Sequence, residues 1–282
     1  MSEQTIGTTC VQGGYHPGDA EPRQVPIYQS TTWKYDTSEH MGKLFDLEES
    51  GYFYSRLQNP TCDLVAAKIC EMEGGTAAML TSSGMAANFL AIFNVAGAGD
   101  HVVASSAIYG GTYNLLAHTM GHMGLTCTFV APTAPTRSSR QPSSPTPSSS
   151  LARRSPTPPS PCSILSALPS RARPRRTADG RQHLPDAVMC RPFEWGADIV
   201  THSTTKYMDG HAAYLGGVIV DHGQFDWMAH ADKFPGLTTP DESYHGVTYA
   251  EKFGREGAFI TKPPRSLCAT SAPCRTLRRP SS

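Results

Sequence analysis

The chain has 282 residues carrying 24 basic and 24 acidic side chains, so its formal net charge is zero and its composition gives no reason to expect a nucleic-acid partner. The first ten residues, MSEQTIGTTC, are polar, and no apolar run reaches the ~18 residues of a membrane helix, so the expectation is a cytoplasmic protein without a membrane partner. Eight cysteines without a C-x-x-C pair predict reduced thiols rather than a zinc site or a disulfide framework.

Residues 1–60 read as an N-terminal arm, since 8–33 is rich in Gly, Pro and polar residues and lacks helical periodicity. In GYFYSRLQNPT (51–61), Tyr54 and Arg56 are two apart and share one side of an extended segment. The planar fork of Arg suits a phosphate. A helix is predicted from Pro60 or Thr61, with Leu64, Val65, Ile69 and Met72 on one face and Gly74 and Gly75 ending it. AAMLTSSGMAANFLAIFNVAG then reads as a short strand, a turn and a helix from Met85. That arrangement presents free N–H groups and a positive dipole end to an anion, with Ser83, Gly84 and Met85 as the candidate contacts. A strand at 100–105, Tyr109 before a Gly-Gly turn, a helix over 112–122 and a strand over 126–130 continue a βαβ alternation. Residues 61–132 thus read as the first part of an α/β domain.

From 133 to 187 the chain is Pro, Ser and Arg almost throughout. Such a stretch usually signals disorder, or a basic segment that binds nucleic acid, but a long structureless insert between central strands argues against both readings. Ordered text resumes over 188–262. Within it, ADIVTHSTTKYMDGHAAYLGG (197–217) passes from an apolar strand through hydroxyl residues to Lys206 and leaves through glycines. Burial there would favour the neutral amine that a Schiff base needs, and Ser203 and Thr205, at alternate positions, would point together toward a phosphate.

The segment HSTTKYMDGH resembles the lysine segment of the Cys/Met metabolism family of pyridoxal 5'-phosphate (PLP) enzymes, and the S-S-G-M turn resembles that family's phosphate cup. The resemblance covers about 8–132 and 188–262. It implies an α/β, aminotransferase-like (fold type I) large domain with a mostly parallel sheet and flanking helices, the C-terminal small domain being missing. It also implies that Lys206 carries the cofactor and serves as general base, that Tyr109 lies on the pyridine ring and assists proton transfer, and that Ser83, Gly84, Met85, Ser203 and Thr205 hold the phosphate. Tyr54 and Arg56 would reach the phosphate of a neighbouring subunit in a homo-oligomer, a tetramer by analogy. KFPGLTTPDESYHGVTYAEKFG (233–254) is physically a polar loop with turn residues; it resembles the insertion of the O-acetylhomoserine sulfhydrylases. The activity implied is γ-replacement on O-acetylhomoserine by sulfide or methanethiol, giving homocysteine or methionine plus acetate. Cystathionine γ-synthase, γ-lyase or methionine γ-lyase activity, or a non-catalytic fragment, are the alternatives.

The family pattern also accounts for 133–187. GRQHLPDA can be back-translated so that another frame reads V-D-N-T-F-P-T, similar to the family strand whose aspartate pairs with the pyridine nitrogen. ARRSPTPPSPCS likewise yields E-T-I-A-N-P-A-L-T-V-L, similar to the strand with the E-T-x-x-N-P motif, and LCATSAPC in the tail yields L-R-D-L-G-A-M. Residues 133–187 and 263–282 are therefore read as out-of-frame and the former as disordered. Asp179 and Asp186 are then accidents of frame, the pyridine-nitrogen aspartate and the substrate-carboxylate arginine are absent, and the chain as written is expected to be inactive. Nucleotide sequencing of the locus is expected to return codons that yield those strings; an undisturbed frame whose codons do not yield them contradicts this reading.

Overall fold

β6 (Ile199–His202) and β7 (Gly217–Asp221) show why the centre of the molecule is a sheet covered on both faces. Every residue of both strands is buried. Ile199 and Ile219 enter one apolar cluster with α4 (Gly84–Phe93), while Val200, Val218 and Val220 enter a second with Ile69 and Cys70 of α3 (Pro60–Glu73). That division follows the two-residue period of a strand, and a run apolar on both sides belongs in a sheet sandwiched by helices. The computed structural model describes residues 5–131, 149–152, 162–166, 187–188 and 190–267.

Among the described residues, seven strands form one sheet in the order β1-β7-β6-β5-β4-β2-β3, where β1 is Ala77–Thr81, β2 His101–Ser105, β3 Thr126–Val130, β4 Ser149–Ala152 and β5 Cys162–Ser166. β2 pairs in parallel with β3 and β4, and β7 and β5 run against all their neighbours. Five strands therefore point one way, as expected of a mostly parallel sheet, although four of the six pairings are antiparallel because each reversed strand has two neighbours. The consequence for the site is that β1, β2 and β6 all end at the same edge.

The helices start and stop on local signals. Asn59 Oδ1 accepts from Thr61 N (3.0 Å) with Pro60 at the first position of α3, and Gly74 closes it at φ 78. Ser83 Oγ accepts from Ala86 N (3.1 Å) at the start of α4. The helix predicted over 112–122 is α5 (Gly110–Asn114), a π turn (Leu115–Thr119) and α6 (Met120–His122) in succession.

Four expectations need correction. The arm is not structureless: α1 (Ile6–Gln12) and α2 (Ser38–Phe45) lie within it, and α1 is held against α3 of its own chain by Lys68 Nζ donating to Val11 O (3.0 Å) and Gly14 N to Glu71 Oε2 (2.8 Å). The stretch expected to be disordered contributes β4 and β5; its aspartates, Asp179 and Asp186, lie outside the described residues. The polar loop over 233–254 is in part core: Phe234 and Leu237, beside and within α7 (Pro235–Thr238), and Tyr249, which opens α8 (Tyr249–Lys262), are buried with Trp227 and Phe259. α8 kinks at Gly254 (φ 63) and continues into a π turn over Pro263–Leu267, so the first residues of the presumed tail pack on the body, with Pro263 and Pro264 buried.

Asp221 closes β7 with its carboxylate in the core. Its Oδ1 accepts from Gly223 N (2.9 Å), while Oδ2 finds no hydrogen bond among the described residues. Burial, helped by nearby Asp198 and opposed by the Gly223 bond, pushes the carboxyl up from 3.8 to about 8. Between those values the folded chain keeps a proton that the unfolded chain has lost, so stability from this group is complete below about pH 4 and falls as pH rises to about 8. Asp221→Asn is expected to match the parent in urea unfolding near the lower value and to exceed it near the upper one; parallel pH profiles for the two proteins contradict this assignment.

Candidate functional site

Three loops meet at the edge where β1, β2 and β6 end, and three glycines allow it. Gly84, at the start of α4, approaches the loop after β6 so closely that a methyl group there would lie 2.5 Å from Ser203 Cβ. Gly217, opposite Thr81 in the β1–β7 ladder, approaches the turn after β1 in the same way: a methyl group there would lie 2.3 Å from Ser83 O. Thr81 Oγ1 donates to that same carbonyl (2.9 Å) and fixes the turn. The third loop arrives through Gly111, over which Tyr109 and Met85 close: a methyl group on Gly111 would lie 2.6 Å from Tyr109 Cε1 and 2.9 Å from Met85 Cε. Ser83, Gly84, Met85, Ser203 and Tyr109 are thus gathered in one place.

The donors there fit a phosphate ester. The first N–H groups of a helix have no intrahelical acceptor, and the N–H groups of Gly84 and Met85 have none among the described residues. The ten-residue α4 adds the positive end of its dipole, and the Ser203 hydroxyl against Gly84 makes no hydrogen bond among the described residues. Ser83 serves by capping α4 with its side chain and by placing the two amides.

Thr205 and Lys206 depart from the sequence expectation. β6 ends at His202 and successive turns follow, with Lys206 N donating to Ser203 O (3.3 Å) and Gly210 N to Lys206 O (3.4 Å), so alternate residues no longer share a side. The Thr205 hydroxyl is turned to Gly216, accepting from its N–H (3.0 Å) and donating to its carbonyl (3.2 Å). It fixes the returning limb of the loop rather than facing an anion. Lys206 is exposed, not desolvated, because its loop leaves the sheet edge among the exposed side chains Tyr207, Tyr214 and Leu215. Tyr109 is 47% exposed.

Tyr54 and Arg56 sit elsewhere in the chain. The Arg56 guanidinium lies 4.9 Å from the Tyr54 ring centroid, Tyr54 bridges to Thr32, and Arg56 lines a cleft with Asp63, Thr261 and Arg265. Burial pushes the Asp63 carboxyl up to about 6, against the pull of Tyr52, the Asn59 backbone and Arg265. The structure does not bring this pair to the Gly84 turn of the same chain. Below the lysine segment, His202 Nε2 meets Glu73 Oε1 at 2.5 Å with both side chains buried, which ties the end of β6 to the end of α3.

The pattern for Cys/Met metabolism PLP-dependent enzymes matches residues 7–149 and 182–251, well over half of the chain. The chain belongs to that family. Among the family's relatives it is 39% identical to the homocysteine synthase of Schizosaccharomyces pombe over 263 residues, covering 90% of this chain and 60% of that protein. It is 37% identical to the O-acetyl-L-homoserine sulfhydrylase of Leptospira meyeri over 256 residues, covering 89% of this chain and 57% of that one. A solved structure described as an O-acetylhomoserine (thiol)-lyase of Campylobacter jejuni, which carries N'-pyridoxyl-lysine-5'-monophosphate, superposes with a TM-score of 0.74 at 24% identity, over 95% of this chain and 66% of that one. That likeness establishes the family's fold for this chain. The chain spans about 60% of the length of the curated relatives it matches. Sequence reading missed Gly111 and Gly217; both stand in Gly-Gly pairs, a signal for close backbone approach that became specific only once the opposing turns were placed.

Gly84→Ala is expected to cost about 1–3 kcal/mol in urea unfolding because its methyl group collides with Ser203. Gly110→Ala, with nothing within 4 Å of the added methyl, is expected to cost nothing. Equal effects of the two contradict the close approach.

Proposed function

We propose that this chain holds pyridoxal 5'-phosphate at the Gly84 turn with Lys206 as the covalent attachment point, and that it corresponds to an enzyme of γ-replacement on O-acetylhomoserine. In that reaction sulfide or methanethiol replaces acetate, giving homocysteine or methionine. The observation that carries the reading is the convergence of the Gly84 and Met85 amides, the Ser203 hydroxyl and Tyr109 at one sheet edge, on the loop that bears Lys206.

When bound, the cofactor supplies an electron sink for the charge left as a proton leaves the substrate α carbon. The chain's own residues do the rest. The Gly84 and Met85 amides and Ser203 bind the phosphate and fix the orientation of the ring. The Lys206 amine, once free, would accept the α proton, release it and then accept the β proton, and Tyr109 would offer a ring face and a phenol that assists the transfer. Thr205 holds the loop through Gly216. The exposure of Lys206 in one chain supports a homo-oligomer in which a second copy covers the site and delivers Tyr54 and Arg56 to the phosphate. Free thiols at Cys10, Cys70 and Cys127 support a reducing, cytoplasmic location, burial pushing Cys70 up to about 12 and Cys127 to about 11.

The chain as written is proposed to bind the cofactor without turnover. No aspartate is assigned to the pyridine nitrogen, and the lack of a family match over 150–181 supports the out-of-frame reading for that part of 133–187. Purified chain mixed with PLP is expected to develop a visible absorbance band that Lys206→Ala abolishes, and to form no homocysteine from O-acetylhomoserine and sulfide. A band that survives Lys206→Ala refutes the attachment point; turnover by the chain refutes the claim of inactivity.

A further inference from the structure

Asn88 lies four residues into the chain beyond Gly84, on the face of α4 that is otherwise apolar, among Ala87, Leu90, Ala91 and Ile92. An amide so placed is costly unless both of its ends are satisfied. Both are. Its Oδ1 accepts from Thr201 Oγ1 (2.6 Å) and its Nδ2 donates to Thr112 Oγ1 (3.0 Å), and the three residues are 9%, 2% and 0% exposed. Each partner belongs to a different arm of the site: Thr201 stands on β6 five residues before Lys206, and Thr112 on α5 three residues after Tyr109.

The other approaches among these three segments run through Gly84 and Gly111, where surfaces touch but no hydrogen bond among the described residues sets a direction. Hydrogen bonds to short, buried hydroxyls do set one, and a displacement of about 1 Å at a reacting group can cost about a hundredfold in rate. We propose that Asn88 is the positioning residue of this site, a branched strut that sets the lysine loop through Thr201 and the tyrosine helix through Thr112 against the amides of α4. This rests on the reading of the site given under Proposed function, and it assigns the two hydroxyls separate tasks: Thr201 governs Lys206 and Thr112 governs Tyr109.

The test uses the whole chain with PLP and borohydride trapping, mapped by peptide mass, and Lys34, an exposed surface lysine, serves as an internal reference. Trapping at Lys206 is expected to fall about tenfold in Asn88→Leu and in Thr201→Val while Lys34 is unchanged. Thr112→Val is expected to keep trapping at Lys206 within about twofold and to lose the circular dichroism induced in the bound chromophore by the Tyr109 ring. Urea unfolding is recorded beside each variant. Should Asn88→Leu fail to fold, the two valine variants decide. Unchanged trapping in Thr201→Val, or equal changes at Lys206 and Lys34, overturns the proposal and leaves the site reading intact. Absence of trapping at Lys206 in the unsubstituted chain overturns the site reading and the strut with it.

Discussion

The structure depends on two backbones meeting without side chains between them. Gly84 faces Ser203 and Gly217 faces the Ser83 carbonyl, so the turn after β1 and the two ends of the lysine loop come together at the edge of the sheet. A Cβ at either position would collide with main-chain or Cβ atoms that have little room to yield. This approach brings a helix start, which any α/β protein has, against the loop that carries Lys206. It is possible because β7 runs antiparallel between β1 and β6 and returns the chain from the loop directly against the first strand.

The sheet itself is held by burial on both faces, and its polar exceptions lie close to the site. Asn88 joins Thr201 to Thr112 on one side, and His202 meets Glu73 on the other, so the residues just before the lysine loop are gripped from above and below the sheet. Asp221, at the far end of β7, is the charged group least at ease in this core, held by one backbone bond and pushed toward its neutral form by burial. Firm anchoring behind the loop and exposure at its tip are compatible: the strand end is fixed, and the turn carrying Lys206 stays exposed.

What the sequence showed best were elements whose evidence is local. α3 was legible because its cap, its Pro at the first position, its apolar spacing and its terminal glycine all agree, and the turn before α4 because hydroxyl residues and a glycine separate an apolar strand from an apolar helix. α1 and α2 were not legible. They have seven and eight residues, lengths at which helices have little stability of their own, and α1 is secured by Lys68 and Glu71 from a helix some sixty residues away. The segment around Phe234 and Tyr249 looked like a surface loop because its turn residues are plain in sequence, while the Trp227–Phe259 cluster that buries its aromatic rings is assembled from distant parts of the chain. The orientation of Thr205 failed for a different reason: alternation holds in extended backbone, and the strand stops three residues earlier.

A crystal structure of the chain grown with pyridoxal 5'-phosphate addresses the central claim most directly. The account predicts phosphate oxygens about 3 Å from the Gly84 and Met85 nitrogens and from the Ser203 hydroxyl, with continuous density joining Lys206 Nζ to the ring. Phosphate seated instead in the cleft of Arg56 and Arg265, with the lysine amine free in solvent, would contradict it.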